Sequence, residues 1–436
     1  MISQQEYQTR RQKLADSLLE NAIAIIPAAK ELLRNGDAHF RFRQDSDFYY
    51  LTGFNEPEAV LLIKAGKPCT TYLFNRPSDP AQEQWTGRRL GQMGACKLLA
   101  VDEAYPIENF TSRLPELISG CAAIYYLIGR DLAIEKEIFS ALEKVKKQIR
   151  RGIKAPEMLC DLEPILSEMR LFKSESELAL MRSAAEISVA AHKAAMQACT
   201  KSDNEQQLEA LLLYHFTYGG CRSVAYDPIV GSGANSCILH YTDNNQPLKK
   251  GELLLIDAGG EFENYAADIT RTVPINGRFS PEQRAIYELV LKAQKAGIAC
   301  IKPGIPWNLV QEKIVQILTQ GLCDLNLLQG SVDELIAAEA YKPFYMHSSG
   351  HWLGLDVHDA GRYKINGEWR PLQPGMVLTV EPGIYISQSL EGIESRWWNI
   401  GVRIEDDILV TQDGFENLTA SLPREIADIE ALLRGE

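Results

Sequence analysis

Three of the chain's seven histidines, His347, His351 and His358, fall within the single stretch HSSGHWLGLDVH. A lone histidine is ordinarily a packing or surface residue. Three of them, interrupted by glycines, make a polar loop whose imidazoles could bind a metal or move protons. Such a cluster needs carboxylates. In GELLLIDAGGEFENYAADITRTVPI, Asp257 and Asp268 stand in apolar runs on either side of Gly259–Asn264, which reads as a hairpin turn. A tip between Phe262 and Glu263 sets the two aspartates directly opposite each other, with Cβ atoms ~4.5–5.5 Å apart. So placed they repel and lose hydration, and they call for a cation between them, unless a one-residue slip turns one toward solvent. A second acidic pair follows. MVLTVEPGIYI alternates Val377, Thr379 and Glu381 onto one face, and NIGVRIEDDILV does the same with Gly401, Arg403 and Glu405. Arg403 is either an ion-pair partner of Glu405 or a group that orients a ligand from behind. Two Asp, two Glu and a His suit a pair of divalent ions (Mn, Co, Fe or Zn) better than a thiolate zinc site. Two such ions ~3.5–4 Å apart can share a hydroxide and polarise a carbonyl or phosphoryl group, which is metal-assisted hydrolysis with the substrate left open.

The elements that must carry these residues recur. Ser174-x-x-Glu177 reads as a capping box before an Ala-rich helix, and a second helix spans about Asn204–Tyr218. Ser280-Pro-Glu-Gln283 opens the same order again, with a second helix over about Leu309–Leu322, and each helix pair precedes a β-rich segment. The pattern predicts an internal duplication of about 100 residues, helices first and hairpin after, that divides the acidic residues between two halves. Residues 1–170 read instead as a mixed α/β domain. A helix over about Gln4–Leu19 leads into the strand AIAIIP, and strand-like runs follow at Phe48–Leu51, Ala59–Ile63, Thr70–Phe74 and Ala123–Ile128. The basic run Lys144–Lys154 reads as a solvated helix end running into a linker. The expected class is α/β (α+β) with two domains, 1–170 and 171–436.

With 45% hydrophobic and 24% charged residues the composition is that of a globular protein. A formal net charge of −13 argues against nucleic-acid or anionic-membrane partners. No stretch approaches the ~20 apolar residues of a membrane span, and the N-terminus lacks the pattern of a signal peptide. Nine scattered cysteines without a CxxC pair read as reduced thiols of a cytoplasmic protein.

DAGGEFENYAADITRT, HSSGHWLGLDVHD, TVEPGIYI and GVRIEDD resemble the successive metal-binding motifs of the pita-bread metallopeptidases, and RQDSDFYYLTGFNEPEAVLLI resembles the first domain of the bacterial aminopeptidase P (Xaa-Pro aminopeptidase) family. The resemblance covers essentially the whole chain. It implies that Asp257, Asp268, His351, Glu381 and Glu405 bind two ions, usually manganese, with Co2+, Zn2+ or Fe2+ as alternatives. Asp268 and Glu405 would bridge them, Asp257 would serve one ion, and His351 and Glu381 the other. A shared hydroxide would then attack the bond between an N-terminal residue and a following proline, with Glu381 as general base and proton shuttle. His240 and His358 would stabilise the tetrahedral intermediate or protonate the leaving proline nitrogen. His347, Tyr385 and Arg403 would line the proline side of the cleft, and Trp85 would shape the substrate side. Trp397 and Trp398 would alter the pocket rim. A dimer or tetramer is implied as well. Competing readings are a prolidase-like Xaa-Pro dipeptidase, a methionine aminopeptidase, a metal-free creatinase-like enzyme, and a non-catalytic binding module.

Overall fold

The computed structural model describes residues 1–435, which divide into two compact units, 1–170 and 171–435. The first is built on a six-stranded mixed sheet ordered Glu103–Pro106, Thr70–Asn75, Val60–Lys64, Ile23–Pro27, Ala123–Tyr126, Met158–Asp161. Ile23–Pro27 runs antiparallel to Val60–Lys64 and parallel to Ala123–Tyr126. Ile25, Leu62, Phe74 and Ile124 of these strands pack with Leu114, Ile138 and Val145 from the helices Phe110–Ile118 and Leu132–Lys146. One expectation fails here, because Phe48–Leu51 is not a strand. It lies in the helix Ser46–Thr52, which Asp45 caps by accepting from the Phe48 N–H at 2.9 Å and Gly53 closes at φ +64°. A four-residue apolar run satisfies either state, and the flanking cap and left-handed glycine decide it. The basic run does end a helix, at Lys146, followed by a short 3-10 turn.

In the second unit both capping boxes form. Ser174 and Glu177 start the helix Glu175–Ala198, and Ser280 and Gln283 start Pro281–Ala299. Each is followed by its partner helix, Glu205–Tyr218 and Asn308–Asp324. The two β segments are short sheets, with Leu253–Asp257 between Ile229–Ser232 and Thr270–Pro274 in the first half, and Val377–Val380 against Asp406–Val410 in the second. The halves join strand to strand. Thr272 Oγ1 donates to the Arg403 carbonyl (3.0 Å), the Glu405 N–H donates to the Thr270 carbonyl (3.1 Å), and the buried Arg271 guanidinium reaches the Glu405 carbonyl (2.6 Å). Apolar residues of both halves, among them Ile256, Val273, Leu378 and Ile408, share one core. Among the described residues no helix is long and apolar enough to cross a membrane.

Candidate metal centre

The first hairpin turns at Glu263-Asn264, both at positive φ (+49° and +65°), which is the two-residue turn suited to strand twist. The register is therefore one residue beyond expectation. Asp257 pairs with Thr270 and Glu261 with Ala266, so Asp257 does not stand opposite Asp268. The same register sets Asp268 against Gly259, where the ladder breaks, and a Cβ there would come 1.7 Å from the Ala267 carbonyl oxygen. As diagonal neighbours on one face the two carboxylates still converge. The Tyr226 hydroxyl lies against Oδ1 of both, at 2.5 Å from Asp257 and in close contact with Asp268.

The second half breaks its strands at the acidic residues too. Glu381 falls between Val377–Val380 and Gly383–Ile386, and Glu405 between Ile400–Arg403 and Asp406–Val410, where continuous strands were expected. The histidine loop is stitched to the first of these strands. Thr379 and Glu381 donate their N–H groups to the carbonyls of His351 (2.9 Å) and Ser349 (2.8 Å), and Gly350 lies so close that a Cβ would meet the Thr379 oxygen at 2.1 Å. His351 Nδ1 is 3.0 Å from the Trp352 carbonyl, which can only accept, so this nitrogen carries the proton and Nε2 presents its lone pair. That Nε2 lies 3.4 Å from Asp268 Oδ2 and 3.6 Å from Glu381 Oε1. Donor atoms of Asp268, His351 and Glu405 all lie within 4.8 Å of one another.

Burial and mutual repulsion push the Asp268 and Glu405 carboxyls well above the usual range, and burial beside Glu405 raises Glu381 to about 8. Asp257 is the exception. Burial would raise it too, but Arg403 Nη2, at 2.5 Å, holds it low. Arg403 thus pairs with Asp257 and not with Glu405. Two carboxylates and one imidazole lone pair at a common point, with Asp257 and Glu381 lining the same cavity, fit a divalent cation by the chemistry of their donors.

A cavity of about 810 Å³ opens over this cluster, within the size range of ligand sites, and Asp257, Asp268, His351, Glu381, Glu405, His240, His358, His347 and Arg403 all line it. Tyr385 does not. It is buried behind the wall, where its hydroxyl accepts from Arg403 Nη1 (2.9 Å) and donates to His347 Nε2 (2.8 Å). His347 in turn donates from Nδ1 to the Ser348 carbonyl (2.8 Å), and burial beside Arg403 lowers its pKa to about 4. Nor do Trp397 and Trp398 form the rim, since Trp397 is buried in the core and Trp398 hydrogen-bonds the Ile393 carbonyl. Trp85 belongs to the other unit, in the helix Pro80–Thr86, and is 87% exposed. Three participants escaped the sequence reading: Tyr226, the Thr270 hydroxyl that donates to Glu405 Oε2 (2.7 Å), and the buried His192. His192 Nε2 donates to the Ala258 carbonyl at 2.8 Å, next to Asp257. A single tyrosine before a strand carries no spacing signal. His192, however, is the one strongly polar residue in the Ala-rich inner run of its helix, where a polar group needs a partner.

The model of metallopeptidase family M24 matches residues 179–412, and that of the aminopeptidase P N-terminal domain matches residues 7–125. The chain is 46% identical to the Xaa-Pro aminopeptidase of Escherichia coli, over 99% of this chain and 98% of that protein. It is 34% identical to mouse Xaa-Pro aminopeptidase 3, over 99% and 86%. Among solved structures, Pseudomonas aeruginosa aminopeptidase PepP superposes with a TM-score of 0.98 at 48% identity, covering 100% and 98% of the two chains. Aminopeptidase P from E. coli with the inhibitor Pro-Leu gives 0.96 at 45%, covering 100% and 99%. With its acidic cluster, its histidine loop and both sequence models in register, the chain belongs to metallopeptidase family M24 and carries an aminopeptidase P N-terminal domain.

Proposed function

We propose that this protein is a Xaa-Pro aminopeptidase that removes an N-terminal residue from peptides with proline in second position. The observation that carries the reading is the meeting of Asp257, Asp268, His351, Glu381 and Glu405 in one cavity of a chain whose full-length relatives bear that name. These five residues would hold two divalent ions, Mn2+ before Co2+, Zn2+ or Fe2+. When bound, the ions supply Lewis-acid polarisation of the scissile carbonyl and an acidified water.

The chain's own groups do the rest. Glu381 accepts the proton of the attacking water and carries it toward the proline nitrogen; its place on the cavity wall beside His351 supports that role. His240 and His358 stabilise charge on the tetrahedral carbon's oxygen or protonate the leaving nitrogen. His347 and Arg403 line the proline side, and Tyr385 locks them: because Arg403 donates to its oxygen, its proton goes to His347, which stays neutral. Proline's tertiary amide has no N–H, so this wall need offer it no acceptor. Trp85 would shape the substrate side from the N-terminal domain. The domains are taken as 1–170 and 171–436, the protein as a cytoplasmic dimer or tetramer. Nine free cysteines support the compartment, and the aminopeptidase P resemblance supports the assembly.

The test is to strip metal, restore Mn2+, and assay an Xaa-Pro-Xaa tripeptide beside the Xaa-Pro dipeptide while measuring metal per chain. Tripeptide cleavage with about two ions per chain is expected. Cleavage of the dipeptide alone would assign a prolidase-like enzyme, and absence of metal uptake would remove the reading.

A further inference from the structure

The cavity has a second wall that the metal cluster and the proline side do not use. Residues 304–307 and 370–372, far apart in the chain, are joined by backbone hydrogen bonds from Gly304 N to Leu372 O (2.8 Å), Leu372 N to Ile305 O (2.8 Å) and Trp307 N to Arg370 O (2.9 Å). This junction packs Trp307 at an angle against Trp352 (ring centroids 4.2 Å apart) and edge-on against Tyr363 (4.8 Å). A small hairpin, Lys364–Ile365 with Glu368–Trp369, turns at Asn366 and Gly367 (φ +51° and +89°) and brings Trp369 to the same cavity. The Lys364 ammonium sits over the Trp369 ring, 4.4 Å from its centroid. Trp307, Tyr363 and Trp369 therefore share one cavity with His351 and His358.

The two ends of this cavity differ in exposure. Asp257 and Ile229 are at most 8% exposed, whereas Trp369 is 39% exposed. A peptide cut after its first residue has nothing behind its amino group, so its terminus goes to the enclosed end and the remaining chain leaves by the open one. A tryptophan left in water at that exit keeps apolar surface that a passing side chain would cover.

We propose that Trp307, Tyr363 and Trp369 form a subsite for the side chain that follows proline, and that it favours aromatic and large aliphatic residues there. The assignment rests on the Xaa-Pro aminopeptidase reading. Its test is a panel of Ala-Pro-Zaa tripeptides with Zaa as Gly, Leu or Phe, assayed with the full chain in Mn2+. The expected kcat/KM for Phe exceeds that for Gly by about tenfold or more. Trp369→Ala should bring this ratio close to one, Trp369→Phe should restore part of it, and Trp398→Ala, outside the cavity, should leave it intact. The ratio is insensitive to a simple loss of folded enzyme. Equal rates on the Gly and Phe peptides in the wild type, or an unchanged ratio in Trp369→Ala, would overturn the subsite while leaving the aminopeptidase reading standing. If Trp369→Ala instead alters discrimination in a second panel, Xaa-Pro-Gly with Xaa as Gly, Leu or Phe, the assignment to the third residue is wrong. Failure to cleave any member of the panel would take down the underlying reading and the subsite with it.

Discussion

Asp406→Asn removes one charge, and no shape, from the junction behind Glu405. Asp406 is fully buried, with its oxygens 2.7 Å from Arg271 and 2.6 Å from Arg424, and it also accepts from Gln294, Asn417 and Thr419. The two arginines differ in what the loss would cost. The Arg424 side chain is 26% exposed and can rehydrate, while that of Arg271 is 0% exposed and would be left as an uncompensated buried cation. Most of the expected destabilisation, about 3–5 kcal/mol, therefore falls on Arg271. Burial alone would raise the Asp406 carboxyl, but Arg271 and Arg424 hold it below its ordinary value. Its contribution is thus present above the unfolded carboxylate pKa of about 3.9 and is lost as pH falls through the lower folded value. The difference between wild type and variant should be constant at neutral pH and shrink in acid. Urea unfolding followed by tryptophan fluorescence reads the correct unit, because every tryptophan except Trp85 lies beyond residue 171. The double variant Arg271→Met/Asp406→Leu should be more stable than Asp406→Asn, since it leaves no fully buried cation without a counter-charge and the partly exposed Arg424 can rehydrate. A loss under about 1 kcal/mol for Asp406→Asn, or a double variant worse than the single, would refute the account.

Asp268→Ala should lose activity and metal together, while His240→Ala should slow turnover with metal retained; metal analysis beside the peptide assay separates the two. Burial holds His192 neutral and lowers its pKa to about 4. The folded state therefore binds fewer protons than the unfolded one below an ordinary value of about 6.5, and stability should fall as pH drops from there toward 4. His192→Gln should flatten that part of a melting-temperature profile against pH. Gly259→Ala forces a Cβ to within 1.7 Å of the Ala267 oxygen and should cost about 4 kcal/mol or prevent folding, as measured by soluble yield and urea midpoint.

Much of the site is legible in residue types and spacing. The five acidic and imidazole donors lie on hairpins and a glycine-broken loop, and both capping boxes announce the duplicated helices. The failures have physical causes. The tip of the first hairpin lies one residue beyond the expected position because turn-forming residues are spread over Gly259–Asn264, and only the left-handed backbone at Glu263 and Asn264 places it. Of the two readings of Arg403, the ion pair with Glu405 on its own strand does not form, and the other agrees with its contact to Asp257 from the other half, which tertiary packing makes. The resemblance implies that Tyr385 lines the cavity, yet the Arg403–Tyr385–His347 chain draws it behind the wall. Tyr226 acts as a single residue without periodicity, so nothing local marks it, and His192 is marked only by its polarity on the Ala-rich inner run of its helix.

The donors come from both halves of the duplicated unit, with Asp257 and Asp268 in the first and His351, Glu381 and Glu405 in the second. During synthesis a ribosome would finish the early pair long before the late trio emerges. A truncated or half-made chain thus holds only part of this donor set, and the five groups come together only when the last strands dock.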